Sequence, residues 1–406
     1  MKKSKMPVKK IVVTYDFTDE TYDKFYKTEP GRMFMHLSNM NKNLYSQQLF
    51  NNFASLNIEV DMLTHSANKD IPSTIIDLEK KLESADLIFH ETPRIAFQIK
   101  ESSWKNEYQK AIENLVHSKF LNKTHFFSND INNTDKQNGA KIAKQAKLPL
   151  PKSCSVNDYF ASNRSLPVIL KLDDGSGGIG IYFIDKPEQI DTFWDINKYR
   201  KLGRKSTPPK KDYEVQDFIK TPSNHFTHYR IFALGNGTIV GAVLNVSGNK
   251  KNELERVTEA GPFGLGSDIY NCVDSPIYLG CLEVCSNHQK GGSQIPFDAN
   301  KNSKSLSNND KDVLIAHGYD LENITLNPKL KELATKTARE FSKVGVLYSG
   351  QDWMQDTNGN FFFLEINPGP GLEIFNTLYN KGRGDAKSGM EIGTKKIAEA
   401  LANYKI

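Results

Sequence analysis

Cysteine is scarce in this chain. Four occur in 406 residues, at Cys154, Cys272, Cys281 and Cys285. That count does not build a disulfide framework in a protein of this length, and reduced thiols are expected. Cys281-x-x-x-Cys285-x-x-His288, with Cys272 upstream, could be arranged as a zinc site, but the spacing is loose and lacks paired C-x-x-C elements, so ordinary thiols are the expectation. Long apolar runs are missing too. No stretch approaches the ~18–20 residues that cross a bilayer, so no membrane association is expected. The basic start of the chain leads into a short Ile11–Val13 run that Tyr15 and Asp16 interrupt, which is too short for a secretory signal. A cytoplasmic protein is the expectation. The formal charge of +5 is small for the length. It suits acidic ligands and gives no reason to expect nucleic acid. Two nucleotide signatures are absent as well: no Gly-Lys-Ser/Thr follows a glycine loop, and no G-x-G-x-x-G follows the first strand, where Asp16-Phe17-Thr18-Asp19 stands.

What is present begins as alternating strands and helices. Lys10–Tyr15, 58–63 and 85–89 read as strands; 44–56, Ile71–Leu82 and 106–117 read as helices. That alternation argues for a parallel α/β unit. A helix from Asp135 to about Lys147 ends at Leu148-Pro149-Leu150-Pro151, which reads as a boundary. Strands follow at 167–172, Ile181–Ile184 and 213–219. A hairpin spans 228–234 and 238–244 across Gly235-Asn236-Gly237. Residues 198–211 are a basic loop, and 286–312 a polar, mobile insertion. An amphipathic helix is expected over 329–343 and a terminal one over 392–404. At 406 residues, two or three domains are the prior.

The richest stretch is 350–371, G-Q-D-W-M-Q-D-T-N-G-N-F-F-F-L-E-I-N-P-G-P-G. Asp352 opens one strand, Asp356-Thr357-Asn358-Gly359-Asn360 turns, and a return strand over 361–366 brings Glu365, then Asn367. Alternate residues of a strand point the same way, so Glu365 and Asn367 can converge with Asp352. Such oxygen donors suit Mg²⁺ holding phosphate oxygens, with Mn²⁺ as an alternative. A second feature is the glycine loop Asp173-Asp174-Gly175-Ser176-Gly177-Gly178-Ile179-Gly180, whose backbone can approach phosphate closely. Lys171 leads into it and can reach phosphate as a fixed cation. Taken singly, the loop could be a surface hairpin, Lys136 a solvated helix residue, 213–219 a buried strand, and Arg230 half of an ion pair.

Taken in order, these pieces resemble the ATP-grasp superfamily, in its glutathione synthetase and ribosomal-protein glutamate ligase branch. The resemblance covers about 135–373. Asp135, Lys136 and Leu148–Pro151 match the family's D-K … P-x-P segment. Lys171 and Gly175–Gly180 match its phosphate lysine and lid. Gln216, Asp217, Phe218 and Ile219 match its Q-E-F-I adenine hinge. His228-Tyr229-Arg230 matches its D-x-R strand, with His where Asp is frequent. Asp352, Glu365 and Asn367, followed by Pro368 and Gly369, match its metal motif. Asn287–Gly292 is similar to its Asn … Gly-Gly stretch, while Arg256 and the rest of 249–312 do not align clearly.

The resemblance implies an α/β protein: an N-terminal parallel α/β domain (1–128) before a two-lobed α+β ATP-grasp domain. The small lobe would be 129–220, with lid and hinge, and the C-terminal lobe 221–406, with the metal site and the polar insertion. It implies an ATP-dependent ligase that joins a carboxylate to an amine through an acyl phosphate, with ATP and Mg²⁺. Lys171 and Arg230 would act catalytically. Lys136, Lys171, Gly175, Ser176, Gly177, Gly178, Ile179, Gly180 and the 216–219 hinge would bind nucleotide. Partners would be small-molecule or peptide carboxylates and amines, and a homo-oligomer stays open. The alternatives are a kinase on the same fold and a non-catalytic nucleotide-binding module.

Overall fold

In the computed structural model the described residues are 9–15, 51–64, 70–91, 107, 110–111, 114–115, 118–119, 125–128, 136–161, 166–172, 181–184, 213–250, 293–297, 306–344, 346, 348–368 and 386–403. The strands are β1 (Lys10–Tyr15), β2 (Glu59–Thr64), β3 (Leu87–Glu91), β4 (His125–Ser128), β5 (Ser153–Ser155), β6 (Val168–Leu172), β7 (Ile181–Ile184), β8 (Tyr213–Asp217), β9 (His225–Leu234), β10 (Ile239–Lys250), β11 (Ser293–Pro296), β12 (Tyr348–Gln355) and β13 (Phe361–Pro368). The helices are α1 (Ile71–Leu82), α2 (Lys136–Gln145), α3 (Val156–Ala161), α4 (Asn308–Ala316), α5 (Pro328–Ser342) and α6 (Ala386–Ala402).

Among the described residues these strands form three sheets. The first runs β2-β1-β3-β4 with every pairing parallel. The second runs β5-β8-β6-β7 and the third β11-β10-β9-β12-β13, both antiparallel throughout. The chain passes from the second sheet to the third between β8 and β9, over 218–224. That crossing is tied to the β12–β13 turn, where Thr357 N–H donates to the Lys220 carbonyl at 3.1 Å.

A hydrophobic core lies under the third sheet. Tyr229 and Ile231 of β9, Leu244 of β10, Trp353 of β12 and Phe361 and Phe363 of β13 pack with Leu330, Ala334 and Phe341 of α5. Trp353 meets Phe363 edge-on at 5.3 Å between ring centroids. Asn327 caps α5, its carboxamide oxygen accepting from the Lys329 N–H at 2.9 Å. Ala143 of α2 joins the same core, and Phe363 N–H donates to the Pro149 carbonyl at 2.8 Å. The helix before the two prolines therefore packs on β13.

Several expectations change. The polar segment 286–312 is not wholly an insertion: it contains β11 and the start of α4. Ile295 is fully buried, and Val313 and Leu314 anchor α4 behind its Ser307 cap. Of the four residues of β11 only Ile295 and Pro296 are buried, and polar neighbours hide them in the sequence. The short strand β4 and helix α3 were not anticipated, and β9 starts three residues earlier than the expected 228. The return strand of the hairpin extends to Pro368, beyond 366. Residues 44–50 of the second expected segment, the loop 198–211, Arg256, 286–292, and the Cys272, Cys281, Cys285 and His288 group lie outside the described residues. Among the described residues, no helix is long and apolar enough to cross a membrane.

Candidate active site

The face of the third sheet away from the α5 core carries charge. Arg230 of β9 lies directly opposite Asp352 of β12, and Asp352 opposite Glu365 of β13. Residues paired across antiparallel strands point the same way, so the three form one row. Arg230 grips Asp352 with two bonds, Nε to Oδ1 at 2.7 Å and Nη2 to Oδ2 at 2.6 Å. Asn367 Nδ2 donates to Asp352 Oδ2 at 3.3 Å. The Asp352 carboxylate is almost entirely buried, which these charge-assisted bonds make tolerable.

A strand irregularity makes this row. Across β12 and β13, Asp352 pairs with Glu365 but Trp353 pairs with Phe363, leaving Leu364 as an extra residue. In a regular strand Phe363 and Glu365 would share a face, and one of them would be misplaced. The bulge shifts the phase, so Phe361, Phe363 and Ile366 serve the core while Glu365 and Asn367 turn to the opposite face. The turn before β13 is held by Asp356, whose Oδ1 accepts from the Asn358 and Asn360 N–H groups at 2.9 and 2.8 Å.

The second sheet contributes a cation. Lys171 sits on the interior strand β6, flanked by Ile181 of β7 and Glu214 of β8, and is buried. Its Nζ lies 3.5 Å from Glu365 Oε2. This ion pair joins the two antiparallel sheets at the charged row. Gln216 lies opposite Ile169, two residues before Lys171, so Gln216 shares the Lys171 face, whereas Asp217, opposite Val168, takes the other. The strand stops at Asp217. Phe218 then packs edge-on against Phe226 at 6.0 Å, and Ile219 is buried.

The structure thus brings together Lys171, Arg230, Asp352, Glu365 and Asn367, and sets Gln216, Asp217, Phe218 and Ile219 at the end of β8. Lys136 opens α2, but its side chain lies outside the described residues, as do Gly175, Ser176, Gly177, Gly178, Ile179 and Gly180. The donor set fits a hard divalent cation: two carboxylates and an amide, all from β12 and β13. Among the described residues no group of three or more His, Cys, Asp and Glu side chains is placed to hold a metal. The site needs its amide, or oxygens brought by a ligand.

Sequence reasoning did not assign a role to His228, on the same face as Arg230. Burial pushes its pKa down, Asp352 and Glu365 pull it up, and Arg230 pushes it down again. Its ring Nε2 lies 3.0 Å from Asn245 Nδ2. The spacing His-x-Arg on one strand was the available signal; Asn245, on the neighbouring strand, left none.

No family model matches the chain, and no curated protein matches it significantly. Among solved structures it is similar to the D-cycloserine synthetase DcsG, with 10% identity over 97% of this chain and 99% of that one and a TM-score of 0.48. It is similar to the ATP-grasp ligase PsnB complexed with minimal precursor, with 11% identity, 97% and 98% coverage and a TM-score of 0.49. The N5-carboxyaminoimidazole ribonucleotide synthetase from Thermotoga maritima gives 10%, 89% and 68%, and 0.42.

Proposed function

We propose that this chain is an ATP-dependent carboxylate–amine ligase of the ATP-grasp type. The observation that carries the reading is the meeting of Lys171 from one antiparallel sheet with the Arg230–Asp352–Glu365 row of another. Phosphoryl transfer needs fixed cations and metal-holding carboxylates at one point, and little covalent help from the protein.

In this reading a substrate carboxylate oxygen attacks the γ-phosphorus of ATP. The bond to the β–γ bridging oxygen breaks and ADP leaves. An amine nitrogen then attacks the acyl carbon, the carbon–oxygen bond to phosphate breaks, and the amine gives up a proton. Asp352, Glu365 and Asn367 would hold Mg²⁺, which neutralises phosphate oxygens when bound. Lys171 and Arg230 stabilise negative charge on the transferring group, with Lys136 as a further phosphate cation. Gln216, Asp217, Phe218 and Ile219 hold adenine beside the sheet crossing. Gly175, Ser176, Gly177, Gly178, Ile179 and Gly180 are assigned to the phosphates on the sequence alone. The domain limits 1–128, 129–220 and 221–406, the cytoplasmic location and the absence of nucleic-acid partners belong to the same proposal.

The test is ADP release from Mg·ATP, screened across amino acids and small peptides. Release of ADP and free phosphate only when a carboxylate and an amine are both present supports ligation. A stable phosphorylated acceptor supports the kinase reading instead. Glu365→Gln should abolish turnover with an unchanged circular dichroism spectrum, and full activity in that variant would sink the metal assignment.

A further inference from the structure

Lys171 lies beside two carboxylates, one from each antiparallel sheet. Glu365 is across the gap, with Oε2 3.5 Å from the lysine Nζ. Glu214 is directly opposite Lys171 on the neighbouring strand β8. Residues paired this way point to one face, with Cβ atoms about 4.5–5.5 Å apart, and opposite charges there attract. Leu170 and Val215 take the other face of the same two strands and are fully buried. Glu214 is half-buried on the charged face. Among the described residues no hydrogen bond or ion pair holds its carboxylate. Lys171 is buried, and a buried ammonium needs a counter-charge. Its present partner, Glu365, is one of the three residues assigned to the metal. A divalent ion that takes Glu365 leaves Lys171 buried without that partner.

We propose that Glu214 is a positioning residue for Lys171: it pairs with the ammonium when a divalent ion takes Glu365. An ion pair between two sheets is thereby exchanged for one within a single sheet. The exchange needs only side-chain rotation, because β6 and β8 already set the two residues opposite each other. An ammonium has three donors. With one on Glu214, the others stay directed at phosphate oxygens of a bound nucleotide. The second sheet therefore keeps its cation in place whether or not Glu365 bridges it to the third. The metal-bound half of this inference rests on the Mg·nucleotide reading of the site, and ligase and kinase chemistry need it alike. The exchange of partners does not rest on that reading.

Two measurements on the full chain test this. The first uses no ligand. Glu214→Gln should leave the urea midpoint of the unaltered protein nearly unchanged, since Lys171 rests on Glu365. In the Glu365→Gln background Glu214 is the remaining partner, and the same substitution should lower the midpoint clearly. With Lys171→Met added to both backgrounds the difference should vanish. An equal effect of Glu214→Gln in both backgrounds, or a difference that survives Lys171→Met, overturns the exchange. The second measurement is manganese binding in the presence of ADP, followed by electron paramagnetic resonance. Glu214→Gln should weaken it about tenfold, the worth of one charge-assisted contact. Glu214→Asp, which keeps the charge, should recover most of that loss. Unchanged or tighter manganese binding in Glu214→Gln overturns the positioning role in the loaded site. An unaltered protein that binds no manganese with ADP overturns the metal reading and that half with it, and the midpoints still decide the exchange.

Discussion

Arg230 and Asp352 face each other across adjacent antiparallel strands and are joined by two bonds, of 2.7 and 2.6 Å. The pair sets a condition on the site. A divalent ion binding alone must take Asp352 away from Arg230 and leave the guanidinium with its compensation reduced. A phosphate binding alone must do the reverse. Metal and phosphate together satisfy both. Manganese titrated against the nucleotide-free protein, followed by electron paramagnetic resonance, should bind weakly. In Arg230→Gln it should bind about tenfold more tightly, since one charge-assisted contact no longer competes. Equal affinity in the two proteins would remove the coupling. Failure of manganese to bind even with ADP present would remove the metal site.

The bulge at Leu364 makes a second expectation. Deleting one residue from a regular strand turns over every side chain beyond it. Here deletion of Leu364 should remove the extra residue and leave Glu365 and Asn367 on the charged face. The variant should fold and keep its manganese affinity with ADP within a few-fold, a difference of about 1 kcal/mol or less. Loss of binding in a folded variant would show that the bulge shapes the site as well as setting its phase.

Gly237 closes the β9–β10 hairpin with φ +92, and a Cβ there would lie 2.8 Å from Thr335 Cγ2 and 2.9 Å from Arg339 Nε. Both neighbours belong to α5, which also holds this turn through Arg339 Nε donating to the Asn236 carbonyl at 3.1 Å. Gly237→Ala should cost about 1–3 kcal/mol from the backbone conformation, with crowding added. Urea unfolding measures it, and an unchanged midpoint would contradict the packing of α5 on this turn.

His228 should make stability depend on pH. Burial, the largest influence, lowers its folded-state pKa; Asp352 and Glu365 oppose this and Arg230 reinforces it. The unfolded ring titrates near about 6.5. Below that value the unfolded chain takes up a proton that the folded chain refuses. The contribution is therefore whole above the unfolded pKa and falls as pH drops below it, by at most about 1.4 kcal/mol per pH unit. Urea midpoints at pH 7 and pH 5.5 should differ more in the unaltered protein than in His228→Asn. An equal difference would show that the ring is not the group responsible.

Much of this was readable in the chain. The strands Lys10–Tyr15 and Ile181–Ile184 and the helix Ile71–Leu82 lie where the pattern put them, because each carries its own local run or spacing of apolar residues. Glu365 and Asn367 do converge near Asp352, for the reason their spacing suggested. The segment around β11 was misread because Ile295 is its main apolar signal. A strand anchored by its neighbours in a sheet needs little pattern of its own.

The residue types, their order and their alternation were decided locally: acids and an amide on a return strand, a lysine before a glycine loop, an arginine on a hairpin strand. Spacing along one strand sets which side chains share a face, and that can be read without a fold. Pairing between strands far apart in the chain cannot. Only the tertiary structure set Lys171 against Glu365 across two sheets, locked Arg230 onto Asp352, used Leu364 to change the phase of β13, and placed Gln294, Asn245 and His228 in one hydrogen-bonded row. Register between strands depends on contacts separated by tens of residues, and no local pattern encodes which side chains will meet across them.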